Sequence, residues 1–377
     1  MFGIGEEEIN AVADTIRKGV LTRFQGGTEG YLAQAERDLA EKIGVKHALM
    51  VNSGTSALMC AMVALGIGKG DEVLVSAYTW ISTPLAPMLL QAVPKLVEIN
   101  ETLTMDPDDL ERKITPKTKA IVVIHMANRP CDMDRIMEIA DRHHIPVVED
   151  TCQAVGGLYK GRRLGSIGAI GCFSFNNYKN ITCGEGGAIL TNDPVLFDRA
   201  RLWHDAGTFV QAYDCPVQIP YFAGQDYRAS EIEGALIWAQ LKRLDPGMAE
   251  LRKRVAFAAN ILQERGFRVV PHNDPETSAA LGIIFDSQEE FQKFAAAKGH
   301  KSIHEIAGRH IYTNWIPLVE RNTYRDDVNP YLTPEGADVR YDETAAPRTL
   351  DILRRTLFID IVWNEDFQSL AKRMRDL

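Results

Sequence analysis

The sequence lacks the features of membrane, secreted, metal-binding and nucleic-acid-binding proteins. No apolar run approaches the roughly 20 residues of a membrane-spanning helix, and the acidic-then-basic amphipathic start does not resemble a signal peptide. The net charge of −9 disfavours nucleic acid or an anionic membrane as a partner. Six dispersed cysteines form no CxxC pair, which indicates reduced thiols and no metal site: Cys60, Cys131, Cys152, Cys172, Cys183 and Cys215. We therefore expect a cytoplasmic protein.

Three nucleotide- and metal-binding motifs are also missing. No GxGxxG follows the first predicted strand, which argues against a dinucleotide-binding Rossmann domain. No GxxxxGK[ST] string is present, which argues against a P-loop nucleoside triphosphatase. His304 and Glu305 begin an HE pair, but the next histidine, His310, is too distant for an HExxH zinc helix.

What is present is the pattern of an α/β enzyme of 377 residues, 45% of them hydrophobic. Five short β-branched runs (ALMVNS, DEVLVSA, VPKLVEI, KAIVVIHM and IPVVED) predict strands of a mainly parallel sheet, with GCFSF and GAILTND as further strands. Helices are predicted between the strands, at residues 55–65, 106–112 and 132–143 among others. A break at Asp245-Pro246 separates a large domain, residues 1–245, from a smaller α+β domain, residues 246–377.

The first of three notable strings, NSGTSA at residues 52–57, lies between a predicted strand and a predicted helix. Small residues at such a turn leave backbone N–H groups at the positive end of the helix, which is a ready cradle for phosphate. An ordinary helix cap supplied by Ser53 or Thr55 explains the same residues equally well.

The second string, VVED at residues 147–150, is a buried-looking strand that ends in carboxylates. In open α/β sheets, ligands bind at the carboxyl ends of strands, and a carboxylate there can hold a protonated pyridine nitrogen. The alternative is an aspartate that caps a helix or fastens a loop.

The third string, GCFSFNNYKN at residues 171–180, places Lys179 after a strand, among aromatic residues and before the glycine-rich segment GEGG. Desolvation in such a setting lowers the pKa of a lysine and makes a Schiff base feasible. A solvated surface lysine is the alternative. The chain order of phosphate turn, carboxylate and lysine is the order that a pyridoxal-phosphate site requires.

These strings resemble the DegT/DnrJ/StrS family of sugar aminotransferases, which have the aspartate-aminotransferase-like fold (fold type I of the pyridoxal-phosphate enzymes). The resemblance covers most of the large domain, including GDEVLVSAYTWIST, VVEDTCQAVGGLYKGRRLGSIG, FSFNNYKNITCGEGGAILTND and DYRASEIEGALIWAQLKRLD.

The resemblance implies pyridoxal 5′-phosphate as the cofactor, with Lys179 forming the Schiff base and acting as proton shuttle. It implies that Asp150 pairs with the pyridinium nitrogen and that Gln153 bonds the cofactor's 3-oxygen. The other residues it implies bind the phosphate (Gly54, Thr55 and Ser174) or stack on the ring (Trp80). A core or interface tryptophan is the alternative for Trp80.

Two segments depart from the family pattern. The GxNYR string, whose asparagine is thought to reach the phosphate of the neighbouring subunit, contains Asp226 in place of asparagine, and a carboxylate there would repel a phosphate dianion unless Arg228 compensates. The usual HxxG segment reads HMANRP at residues 125–130, which affects the substrate or dimer surface.

The resemblance implies a transaminase and a homodimer, with glutamate or glutamine as the amino donor. The acceptor would be a nucleotide-linked keto-sugar, a keto-cyclitol or a free keto-sugar acid, and some strings are closest to members that make 8-amino-octulosonic acid. A dehydratase of the same fold is a second interpretation, although those relatives carry histidine in place of Lys179. A non-catalytic cofactor-binding regulator is the third.

Overall fold

The structure, a computed structural model, describes residues 2–207 and 216–377. Its helices are α1 (Glu6–Lys18), α2 (Arg23–Gly26), α3 (Tyr31–Ile43), α4 (Gly54–Ala64), α5 (Ser82–Leu89), α6 (Pro107–Lys113), α7 (Met133–His143), α8 (Pro194–His204), α9 (Glu231–Glu264), α10 (Gln288–Lys298), α11 (Ile303–Ile306), α12 (Ile316–Val319), α13 (Pro347–Arg354) and α14 (Phe367–Asp376). Its strands are β1 (His47–Val51), β2 (Glu72–Ser76), β3 (Val93–Val97), β4 (Thr118–Ile124), β5 (Val147–Asp150), β6 (Leu158–Tyr159), β7 (Arg162–Arg163), β8 (Ile170–Ser174), β9 (Gly187–Thr191), β10 (Leu281–Ile284) and β11 (Thr356–Ile359).

The chain forms two compact units. Unit 1 comprises residues 1–68, 146–156 and 161–245, and unit 2 comprises residues 69–145, 157–160 and 246–377. One boundary between the units lies after Asp245, the position at which the sequence predicted a domain boundary. Residues 69–145, however, group with the C-terminal portion. The division into domains 1–245 and 246–377 stays a prediction.

Unit 1 contains strands in the order β1-β9-β8-β5. Strands β5 and β8 are parallel, β9 is antiparallel to β8, and β1 is antiparallel to β9. The two reversals cancel, so β1 runs in the same direction as β5 and β8. The carboxyl ends of these three strands therefore lie at one edge of the sheet. The strand runs were predicted, but the antiparallel direction of β9 was not.

Unit 2 contains β2 between β4 and β3, all parallel, and a separate antiparallel pair of β10 and β11. The predicted helix at residues 106–112 is confirmed as α6, because Asp106 accepts the N–H of Asp108 and Pro107 occupies the first turn. Helix α7 begins after Asp132, which accepts the N–H of Arg135, and ends at His144 in the left-handed conformation.

The predicted helix break at Asp245-Pro246 is wrong, because α9 continues through Pro246 to Glu264. Proline removes one backbone donor and disfavours a helix interior. Here the apolar stripe continues on both sides of the proline, with Leu244 and Met248 fully buried. Packing of this stripe stabilises the helix against the local preference of the proline.

No helix within residues 2–207 and 216–377 is both long and apolar enough to span a bilayer. The five cysteines in these ranges are free thiols, and Cys215 lies outside the described residues. No group of histidine, cysteine, aspartate and glutamate side chains there has the arrangement of a metal site.

Candidate active site

The turn after β1 brings two of the predicted site residues together. A Cβ on Gly54 would lie 2.7 Å from the Cβ of Ser174, a distance that real Cβ atoms essentially never show, and 3.0 Å from the Sγ of Cys152, which is also unusually close. Only glycine therefore allows the first turn of α4 to approach the end of β8 this closely. Thr55, the next residue, is exposed at the same helix end.

The helix cap expected in this turn is also present. The Ser53 hydroxyl accepts the N–H of Ser56 at 3.0 Å, and the Ser56 hydroxyl donates to Asn52 at 2.6 Å. The cap and the phosphate cradle are thus compatible, because α4 begins directly after β1, at the carboxyl edge of the sheet.

Asp150 is the last residue of β5 and is 4% exposed. Its Oδ1 accepts the backbone N–H of Cys152 at 3.2 Å, which fixes the start of the following turn. Gln153 lies in this turn and is half-buried. The aspartate therefore fastens a loop, as the alternative interpretation proposed, and also supplies a carboxylate at the carboxyl edge of the sheet.

Cys152 was not recognised from the sequence as a site residue. Burial is the largest cause that raises the pKa of its thiol well above the usual value, and the charge of Asp150 adds to this effect. The positive charge of Lys179 acts in the opposite direction on the same pKa. A thiol affected by both groups, and beside Gly54, lies among the predicted cofactor residues. Its position two residues after the strand-ending aspartate was the only available signal.

Lys179 is half-buried in the turn that follows β8, and its N–H donates to the carbonyl of Asn176 at 3.0 Å. The neighbouring Tyr178 is 89% exposed, so the aromatic setting expected around the lysine does not include this ring. Asn180 fastens the far side of the turn by donating its side-chain amide to the carbonyl of Val155 at 2.8 Å.

Gln240, on α9, holds the segment that follows Lys179. Its side-chain oxygen accepts the Thr182 N–H at 2.9 Å, and its side-chain nitrogen donates to the Thr182 carbonyl at 2.5 Å. Both residues are buried, with 1% and 0% exposure. This amide therefore satisfies both backbone groups of one residue. This contact could not be predicted from the sequence, because the partner is 58 residues away along the chain.

Trp80 belongs to unit 2, where other side chains contact its ring. The Arg309 guanidinium lies 4.6 Å from the ring centroid, and the His310 ring is tilted against it at 5.0 Å. The segment is held because the Thr79 N–H donates to the carbonyl of His310 at 2.9 Å. The predicted stacking of Trp80 on a cofactor ring stays a prediction.

The GQDYR string lies beside the turn after β1, since the Asn52 N–H donates to the carbonyl of Tyr227 at 2.9 Å. Arg228 forms ion pairs with Asp226 at 2.5 Å and with Asp205 at 2.8 Å. The side chain of Asp226 is 60% exposed, whereas that of Asp205 is fully buried. Arg228 thus pairs with Asp226, but its single positive charge is shared with Asp205.

The edge of unit 1 thus combines the N-terminus of α4, a buried carboxylate at Asp150 and the amine of Lys179. A helix N-terminus binds a phosphate, a carboxylate binds a protonated ring nitrogen, and an amine condenses with an aldehyde. Because pyridoxal 5′-phosphate carries a phosphate, a pyridine nitrogen and an aldehyde, the residues present fit that cofactor.

Comparisons with known proteins agree with this chemistry. GDP-perosamine synthase from Caulobacter vibrioides is 40% identical over 245 residues, which are 64% of this chain and 65% of that protein. DesV of S. venezuelae, solved in complex with a ketimine intermediate, is 29% identical and superposes with a TM-score of 0.75 over 98% of this chain and 93% of its own. An aminotransferase from Psychrobacter cryohalolentis is 25% identical, with a TM-score of 0.78 over 99% of this chain and 96% of its own.

These likenesses confirm the predicted α/β architecture of fold type I and the predicted cofactor, pyridoxal 5′-phosphate. Residues 3–351, nearly the whole chain, match the DegT/DnrJ/EryC1/StrS aminotransferase family. A match of this extent leaves one conclusion: the chain belongs to the DegT/DnrJ/EryC1/StrS aminotransferase family.

Proposed function

We propose that the chain is an aminotransferase that moves an amino group from glutamate or glutamine to a nucleotide-linked keto-sugar. The observation that carries the proposal is the convergence, at one edge of unit 1, of the α4 N-terminus, the Asp150 carboxylate and the Lys179 amine. A member of the family that kept only the fold would have no need of all three groups.

We propose the following placement of the cofactor. Backbone N–H groups at Gly54 and Thr55 and the hydroxyl of Ser174 hold the phosphate. Asp150 pairs with the ring nitrogen, and Gln153 bonds the 3-oxygen. Trp80 covers one face of the ring. When bound, the cofactor supplies an electron sink for the carbanion formed at the donor's Cα.

Within this arrangement, Asp150 keeps a proton on the ring nitrogen, because a buried carboxylate stabilises the adjacent positive charge. The Nζ of Lys179 would hold the cofactor through its aldehyde carbon. When free, the same amine would remove the proton from the donor's Cα as a general base and deliver it to C4′ of the cofactor as a general acid. The turn held by Gln240 keeps Lys179 within reach during both proton transfers.

The similarity to the GDP-perosamine synthase of Caulobacter vibrioides supports a nucleotide-linked acceptor. A keto-cyclitol and a free keto-sugar acid such as an 8-oxo-octulosonate are the other acceptors to compare. The presence of Lys179 argues against the dehydratase interpretation, and the retained Asp150 and Gln153 argue against a non-catalytic regulator. We propose further that the protein acts as a homodimer in the cytoplasm, without nucleic acid or membrane partners.

Borohydride reduction of the protein loaded with pyridoxal 5′-phosphate tests the assignment of the lysine. Peptide mass spectrometry should find the reduced adduct on Lys179. The variant Lys179→Ala should carry no adduct there and should not convert substrate. The matched control, Lys160→Ala, removes an exposed lysine and should retain both properties. An adduct on another lysine in the unaltered protein would overturn the proposal.

Half-reactions distinguish the substrates. Glutamate and glutamine should each be tested for bleaching of the yellow holoenzyme. The aminated protein should then be mixed with a GDP-linked keto-sugar, a keto-cyclitol or a free keto-sugar acid. Return of the yellow colour with the GDP-linked sugar alone supports the proposal. Return with the keto-sugar acid alone would replace the proposed acceptor without affecting the assignment of Lys179.

A further inference from the structure

A buried arginine in unit 2 lacks an acidic partner. Arg129 follows β4 and is 2% exposed. Its Nη1 donates only a long bond, at 3.4 Å, to the carbonyl of Pro271. Among residues 2–207 and 216–377, its Nε and Nη2 have no hydrogen-bond partner, although buried charged groups are nearly always paired. Burial lowers the pKa of the guanidinium to about 10, so it remains charged at neutral pH.

His272 adds a third buried donor beside this arginine. Its Nδ1 accepts the N–H of Asp274 at 3.1 Å, so in the neutral ring the proton is on Nε2. Burial, and then the charge of Arg129, lower the pKa of His272 to about 4, which makes the neutral ring the form at pH 7. Its Nε2 has no acceptor within the described part of the chain. The two side chains thus present N–H donors without an acceptor.

The neighbouring groups do not supply the negative charge. Tyr78 is the titratable neighbour of Arg129. Burial raises the pKa of its phenol well above the usual value, so the phenol stays neutral and supplies no negative charge. The Asp274 carboxylate accepts the Lys160 N–H at 2.7 Å and the Thr277 hydroxyl at 2.8 Å. The charge of Asp274 acts to raise the pKa of His272, but it is not among the causes that shift the pKa of Arg129.

We propose that Arg129 and His272 bind a small monovalent anion, a halide or a carboxylate of the size of formate. The position suits an anion, because Arg129 and Tyr78 follow the carboxyl ends of the parallel strands β4 and β2, where α/β sheets bind ligands. The close packing around Gly282 limits the size of the anion. A Cβ on this glycine would lie 3.7 Å from the Nη2 of Arg129 and 3.0 Å from the Leu357 carbonyl oxygen. The site is independent of the proposed transamination.

Thermal unfolding of the full-length protein tests the site. In buffers of constant ionic strength, a bulky organic anion is replaced stepwise by chloride, bromide, formate or glutamate. A saturable rise in Tm, on the order of 2–4 °C, is expected with a small anion. Arg129→Gln should abolish the rise. A rise with glutamate alone would show that a larger carboxylate is the ligand and would overturn the proposed size.

The matched control is Arg355→Gln, which removes another buried guanidinium, one that is paired with Glu101 and Asp351. This variant should unfold at a lower temperature but keep the anion-dependent rise. If Arg129→Gln fails to fold, crystals of the unaltered protein soaked in bromide decide the question. An anomalous peak beside Arg129 and His272 supports the proposal, and its absence at saturating bromide overturns it.

Discussion

The amide of Gln240 offers a sharp test of how the turn that carries Lys179 is held. Replacing Gln240 with alanine removes the acceptor of the Thr182 N–H and the donor to the Thr182 carbonyl. Both groups are fully buried, so neither gains a water partner without local opening. The substitution therefore leaves two backbone groups of one residue unsatisfied.

The cost follows from these two groups. Leaving a buried donor or acceptor unpaired costs about 1–3 kcal/mol each. Because local opening lets some water reach the two groups, the lower part of the combined range applies. We expect Gln240→Ala to lower the free energy of unfolding by about 2–4 kcal/mol. Gln240→Glu should lower it further, since a carboxylate accepts the N–H but repels the carbonyl and buries an unpaired charge.

Urea unfolding of the protein without cofactor measures the effect, with a lower midpoint and an unchanged slope. Gln263→Ala, an exposed glutamine on the same helix, is the control and should change the free energy by less than about 0.5 kcal/mol. A second readout is the yield of borohydride adduct on Lys179, which should fall in Gln240→Ala. Unchanged stability together with an unchanged adduct yield would refute the reasoning.

Three further predictions concern the same unit. Gly54→Ala should weaken pyridoxal 5′-phosphate binding at least about fivefold in an absorbance titration, because the new Cβ overlaps Ser174 and overpacking costs about 1–3 kcal/mol. An unchanged Kd would contradict the close approach. Bound cofactor should slow alkylation of Cys152, measured by peptide mass spectrometry, and equal rates would remove the thiol from the site. Burial lowers the pKa of His204 from 6.5 to about 4, so the unfolded chain binds the proton first. Stability should fall by up to about 3 kcal/mol as the pH drops from about 6.5 to about 4, and His204→Asn should reduce that loss in urea unfolding at each pH.

The turn at Gly54 and the carboxylate of Asp150 could be proposed from the sequence because each ends or follows an apolar run, and parallel strands bring such residues to one edge. The role of Ser174 came only from the family resemblance. The direction of β9 was not predictable, because GAILT is equally apolar and β-branched in either orientation. That direction nevertheless matters, since it restores β1 to the direction of β8 and so brings the α4 N-terminus to the shared edge.

The residues that the sequence did not predict act through distant partners. Gln240 lies on α9 between the buried residues Ala239 and Leu241, and the role of a glutamine there cannot be inferred until the Thr182 backbone is known to face it. The burial of Arg129 is similar, because a basic residue in the HMANRP segment is expected at the surface. The packing of residues 270–282 against it becomes visible only in the folded chain.

The altered GxNYR string changes the charge near the proposed phosphate site. Arg228 balances the fully buried Asp205, whose charge would otherwise be costly, and it also pairs with Asp226. The three groups carry one net negative charge, so Arg228 adds no net attraction for a phosphate dianion nearby. Asparagine at this position would leave the group neutral and add an amide donor. In the proposed placement of the cofactor, the N–H groups at the start of α4 and the hydroxyl of Ser174 therefore supply more of the phosphate affinity than in relatives with asparagine.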